Sequence, residues 1–148
     1  MEDDHPVLTD PAETLIRRAF WEKKRRKSFV EDQLTGWRPT AAAFEPSRKN
    51  TYLSVNIEAS LTAAEKPPTW GIDHERFYAV RVAIRACSDC NLQVKSVPVE
   101  GNPHHGGVYG IVELRDTACD DIYQTTLSTL AENSDILPES MEKFRSFF

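Results

Sequence analysis

Tyr52-Leu53-Ser54-Val55-Asn56-Ile57-Glu58 alternates without a break. Successive side chains of an extended chain point to opposite faces, so Leu53, Val55 and Ile57 share one side and Tyr52, Ser54, Asn56 and Glu58 the other. This is the pattern of a half-buried strand, and it requires a sheet with at least one covered face.

Upstream, Asp10 can cap a helix, Pro11 suits its first position, and Glu13 sits where a capping box places an acid. Leu15, Ile16, Ala19 and Phe20 then form a stripe at helical spacing. The reading is a helix from 11 to somewhere between 28 and 35, with Gly36 as its stop. Gly36, Pro39 and Pro46 mark 36–50 as loop, in which Ala41 to Phe44 pairs briefly with a strand.

Downstream, Ser60 to Lys66 reads as one or two helical turns ended by Pro67-Pro68. Phe77 to Val82 is rich in β-branched residues and reads as strand, followed by a short helix to Cys90. A single helix capped by Asp73 and stopped at Asn91 is the alternative there. Leu92 to Pro98 and Val108 to Leu114 are further strands. Asp116 caps a second clear helix, whose stripe is Cys119, Ile122, Tyr123, Leu127, Leu130 and Ala131. Asp120 and Asp121 in its first turn suit the helix dipole, and Asn133 is its stop. Pro138 opens a final short helix. The expected fold is therefore α+β: a small, mostly antiparallel or mixed sheet of three to five strands, flanked by a long N-terminal helix and a C-terminal helix. Residues 1–9 form a flexible lead and 10–148 a single domain.

The chain has 148 residues, 40% hydrophobic and 28% charged, with a net charge of −5. That suits one domain with its own core, and no apolar run approaches the length of a membrane helix. The charge is uneven: residues 1–11 carry −4, 12–50 carry +5, 51–109 carry −1 and 110–148 carry −5. An acidic total argues against a nucleic-acid binder that uses its whole surface. Three cysteines, Cys87, Cys90 and Cys119, are too few and too odd for a secreted disulfide framework. With an acidic start lacking an apolar leader segment, this points to a reducing cytoplasm.

Four constellations carry potential chemistry. Glu100 to Gly110 holds four of the six glycines and the adjacent His104 and His105. Turn geometry explains the glycines but not the imidazoles, which can act as acid, base or ligand. If the protein is an enzyme, His104 and His105 are its acid/base groups and Arg81 and Arg85 its anion clamp, with Ser54 as a nucleophile if the fold joins them. Cys87-Ser88-Asp89-Cys90 is a C-x-x-C that, with His104 and Cys119, offers a weak set of zinc ligands; small buried thiols are the plainer reading, and no cofactor is expected. Lys23, Lys24, Arg25, Arg26 and Lys27 are five consecutive bases. On a helix they point all round the axis, so a solvated helix end competes with phosphate contact. Met141, Phe144, Phe147 and Phe148 make an apolar tail suited to this protein's own core, to a second copy or to a partner's groove.

The reading that follows is a non-enzymatic accessory protein of the cytoplasm, akin to the inhibitor, immunity or adaptor proteins of bacterial defence and toxin systems. Met141, Phe144, Phe147 and Phe148 are its protein-binding residues, with homodimerisation as a variant and no membrane partner. One alternative is a small hydrolase or nucleotidyl-type enzyme built on the 101–107 loop. Another is a nucleic-acid module using residues 17–27.

Overall fold

The chain runs through β1 (Val7–Leu8), β2 (Thr14–Phe20), β3 (Glu22–Lys23), β4 (Arg26–Lys27), β5 (Phe29–Asp32), β6 (Gly36–Pro39), a 3-10 turn (Ala41–Phe44), β7 (Leu53–Ile57) and α1 (Glu58–Ala63). It continues through β8 (Phe77–Ala83), α2 (Ile84–Asp89), β9 (Gln93–Ser96), β10 (His105–Tyr109), α3 (Ile111–Asp116), α4 (Asp120–Glu132), β11 (Ser134–Ile136) and α5 (Pro138–Phe147). These elements come from a computed structural model that describes residues 5–23, 26–32, 36–117 and 120–147.

Seven strands form one sheet in the order β1-β9-β10-β7-β2-β8-β11, every neighbouring pair antiparallel. Two separate hairpins, β3–β4 and β5–β6, fill the segment between β2 and the 3-10 turn. The architecture is α+β with a large sheet and five short helices. It corrects the expected small sheet with a long N-terminal helix.

The physical reason lies in β2. Leu15 and Ile16 are both buried, but on opposite faces: Leu15 pairs with Ile57 and Ile16 with Asn56. A strand covered on both sides need not alternate. Adjacent apolar residues, followed by Ala19 and Phe20, then imitate a helical stripe. Asp10 caps no helix. Its carboxylate accepts the Ala12 N–H at 3.0 Å and its carbonyl accepts the Glu13 N–H at 3.1 Å, which closes a turn before the strand.

Three other boundaries differ. Ala41–Phe44 is a 3-10 turn rather than a pairing segment. The strand expected from Val108 lies earlier, at His105–Tyr109, and α3 follows. Asp116 ends α3 instead of capping the next helix. Phe77–Ala83 and Ile84–Asp89 form the strand and short helix favoured by the sequence.

Opposite residues of an antiparallel pair share a face, so the registers divide the sheet cleanly. One face carries Leu15, Ala19, Leu53, Val55, Ile57, Tyr78, Val80 and Val82, and packs into one apolar cluster with Phe44, Cys87, Ile111, Leu127 and Leu130. On the other face a smaller cluster joins Ile16 and Ala79 to Leu61 and Leu137, with Trp70 and Ile72 against it. The rest of that second face carries Arg18, Ser54 and Asn56 beside the Phe20–Phe77 pair.

Gly110 turns β10 into α3 at φ +115°, a conformation that strains any residue with a Cβ, and a Cβ there would lie 2.8 Å from Leu92 Cδ2. Gly107, opposite Ser54, has a different reason: its Cβ would lie 2.8 Å from Tyr52 Cδ2 and 3.0 Å from Tyr109 Cε1. A bare backbone lets these two rings lie on the strand.

Candidate functional site

β8 pairs with β2 along seven residues, from Thr14 to Phe20, whereas the β2–β7 ladder consists of two pairs, Leu15↔Ile57 and Ile16↔Asn56. Beyond them the guanidinium of Arg17 bridges the two strands. Nη1 donates to the Ser54 carbonyl at 2.9 Å, Nε to that of Ala43 at 3.0 Å and Nη2 to that of Glu45 at 3.0 Å. Among the described residues it hydrogen-bonds no carboxylate. Desolvation, with a smaller push from Arg18, lowers its pKa to about 10, so it stays charged at neutral pH.

Along this opening lies a cavity of about 490 Å³, within the range that encloses small ligands. Its inner side is Arg17, Ser54 and Asn56. One wall comes from β2 and β8, where Arg18 lies over the Phe77 ring at 4.5 Å and Phe20 packs on the same ring at 4.4 Å. A second wall is Trp70-Gly71-Ile72, and a third is Gly101, Asn102 and His105. Glu45, Ser47 and Asn50 complete it, with Asn50 Nδ2 donating to Ser54 Oγ at 3.3 Å.

Backbone groups fix the polarity of these side chains. The His104 N–H can only donate, and it meets Asn102 Oδ1 at 3.0 Å. Asn102 therefore presents its amino group to Asn56, whose Oδ1 accepts at 2.8 Å, which leaves the Asn56 amino group available. The Val97 carbonyl can only accept, and it lies 2.8 Å from His105 Nδ1. His105 thus carries a proton on Nδ1, and in the neutral ring Nε2 is the acceptor. Tyr52 stands edge-on to the His105 ring at 5.8 Å, backed by Tyr109.

The two adjacent histidines therefore have different tasks. His105 lines the cavity. His104 is 6% exposed, with Nδ1 2.8 Å from Ser60 Oγ, its carbonyl accepting the Ile57 N–H at 2.8 Å, and Trp70 edge-on at 5.1 Å. It ties α1 and the Trp70 loop to the sheet.

The arginines named from sequence as a clamp lie elsewhere. Arg81 forms a two-pronged pair with Glu58, at 2.8 and 2.6 Å, which Thr14 joins at 2.6 Å. The hydrogen bonds from Arg81, more than that from Thr14, hold the Glu58 carboxyl below the usual carboxylate range. Arg85 is exposed on α2. Neither lines the cavity that His105 lines. Arg17 and Arg18 do, and a helical reading of this segment conceals them. Successive residues of a strand face opposite ways, so Arg18 shares a face with Ala79 while Arg17, beside Val80, reaches into the gap between β2 and β7.

The zinc candidates do not converge. Cys87 is buried in the large apolar cluster, where desolvation pushes its thiol up to about 12. His104 contacts α1 on the opposite face. Cys90 is partly buried, and Cys119 lies outside the described residues. Among the described residues no three His, Cys, Asp or Glu side chains are grouped to hold a metal ion.

Of the five consecutive bases, Lys23 lies on β3 and Arg26 and Lys27 on β4 of one hairpin, not on a helix. Lys24 and Arg25 lie outside the described residues. In the tail, Met141 is partly buried against the large apolar cluster. Phe144 and Phe147 are placed on α5 by their backbone, their side chains being outside the description, as is all of Phe148. Among the described residues no helix is long and apolar enough to cross a membrane.

Comparison with family models, with curated proteins and with solved structures finds no match.

Proposed function

We propose that the protein is a small-molecule-binding domain whose cavity between β2 and β7 takes a polar, anionic ligand. One observation carries this reading. Arg17 lines the cavity with a charged guanidinium whose hydrogen bonds among the described residues go to three carbonyls. A guanidinium has five N–H groups, and these carbonyls use three of them. Carbonyl dipoles offset part of the desolvation of a cation, and an anion would offset much more. Arg18 adds a second charge in the same cavity.

The reading ranks ahead of partner docking through the tail because Met141, the one tail anchor whose side chain is described, packs on this protein's own core. It ranks ahead of phosphate contact along the basic run because the charges that line a cavity belong to Arg17 and Arg18.

Thermal unfolding with pyrophosphate tests it. A ligand at a hundredfold excess over Kd stabilises the native state by about 2.7 kcal/mol, so the midpoint should rise with pyrophosphate. The exposed Arg18, changed to Glu, should fold normally and lose that rise. An equal rise in wild type and Arg18→Glu would refute the reading.

A further inference from the structure

We infer that the ligand is a nucleoside monophosphate: a phosphate at Arg18 with the Arg17 charge behind it, a sugar hydroxyl at His105, and a flat base against the aromatic wall. The inference rests on the anion-binding reading and goes one step further, from charge to chemical class.

Three features of the cavity set three demands. Arg18, on the face of Ile16 and Ala79, brings a guanidinium to the cavity, and Arg17 adds positive charge from the gap between β2 and β7, which together call for an anion rich in acceptors. The Val97 carbonyl accepts the His105 Nδ1–H, so in the neutral ring Nε2 is an acceptor. An acceptor calls for a donor. A hydroxyl supplies it. Phe20, which is exposed, and Trp70 give apolar surface in the cavity, which water leaves readily and a ring can cover. The Asn56 amino group, left over once Asn102 is satisfied, adds a directional donor for a ring carbonyl or ring nitrogen.

Each simpler ligand meets only part of this. Inorganic phosphate answers the arginines and leaves the aromatic wall unused. A nucleoside answers that wall and the His105 acceptor and brings no anion to Arg18. A cavity of about 490 Å³ has room for all three pieces together.

Isothermal titration of the full chain with adenosine 5′-monophosphate, uridine 5′-monophosphate, their nucleosides and inorganic phosphate tests the inference. At least one nucleotide should bind tenfold or more tightly than both its nucleoside and phosphate. His105→Asn keeps an amide donor near the Val97 carbonyl and removes the Nε2 acceptor. It should weaken that nucleotide about tenfold, the worth of one hydrogen bond, with phosphate affinity unchanged. His105→Gln, which restores an acceptor near the Nε2 position, should recover part of the loss. Both variants are first checked for a wild-type melting curve. If either fails it, the nucleotide, nucleoside and phosphate ranking on the wild-type chain decides alone.

Phosphate binding as tightly as every nucleotide would overturn the nucleotide class and leave the anion reading standing. A nucleoside binding as tightly as its nucleotide would overturn both. No binding by any nucleotide would overturn the inference, and the pyrophosphate melt then decides the anion reading separately.

Discussion

Along β7, Leu53, Val55 and Ile57 join an apolar layer with Leu127 and Leu130 of α4, while Ser54 and Asn56, between them, line a cavity with Arg17 and His105. The first face is filled by side chains that need only bulk and shape. The second is lined by groups that hydrogen-bond in set directions, as Asn102 does to Asn56 and His105 to Val97. Dispersion and the hydrophobic effect act without direction, so the first face can tolerate similar volumes. The second depends on hydrogen-bond geometry, so a change of one atom redirects it. The same five-residue strand serves stability on one side and recognition on the other.

If the faces divide their labour in this way, Leu127→Ala should be the most damaging single change to stability. A fully buried leucine cut to alanine leaves a cavity that costs roughly 3 kcal/mol. Urea unfolding should show that loss, and pyrophosphate should still stabilise the folded fraction. A loss of the pyrophosphate effect in a folded Leu127→Ala protein would break the division.

Arg17→Met should come next, because it belongs to both faces. It removes the donors of three carbonyls, for a cost of about 2 kcal/mol, and it should abolish the pyrophosphate effect as well. An unchanged denaturation midpoint would mean that the guanidinium does not hold the β2–β7 opening together.

Gly107→Ala puts a methyl into Tyr52 and Tyr109, and overpacking of this kind costs about 1–2 kcal/mol. It should also disturb the ring that backs His105. The Tyr52→Ala/Gly107→Ala double variant should show a smaller penalty from the glycine change than the single one. Additive effects would mean that the two rings already have space to move.

The smallest effect belongs to the Glu58–Arg81 pair, which is partly exposed and screened. The carboxyl of Glu58 has its folded pKa below the unfolded value of about 4.3. Its contribution is therefore present above that value and is lost as pH falls through the lower, folded one. Glu58→Gln should unfold at a slightly lower denaturant concentration at pH 7 and show a shallower acid loss below about pH 4. Parallel acid profiles for the two proteins would place the acid sensitivity elsewhere.

The same two faces explain which parts of the fold are legible in the residues alone. Leu53, Val55 and Ile57 declare a strand because polar residues separate them. Thr14 to Phe20 conceal one, because Ile16 is covered by Leu61 and Leu137 while Leu15 is covered from the other side. Residue identity at 15 and 16 cannot tell two buried faces from one helical stripe. Gly106 and Gly107 look like turn residues, and turns are where such pairs are most often needed; here the reason is close packing against Ile57, Tyr52 and Tyr109. His105 is legible as a reactive residue, but its proton is placed by Val97, across the Gly101 turn. Arg17 is out of reach, since its role depends on carbonyls of residues 43, 45 and 54 that only the closed sheet brings together.

The most direct test of the account is a backbone amide chemical-shift titration of the uniformly labelled protein with pyrophosphate. Saturable shifts are expected in residues 16–18, 54–56, 70–72 and 101–105, with the α4 amides from Tyr123 to Ala131 unmoved. Shifts centred on α4, on the 22–27 hairpin or spread evenly over the surface would contradict the claim that the polar face of this sheet is the binding face.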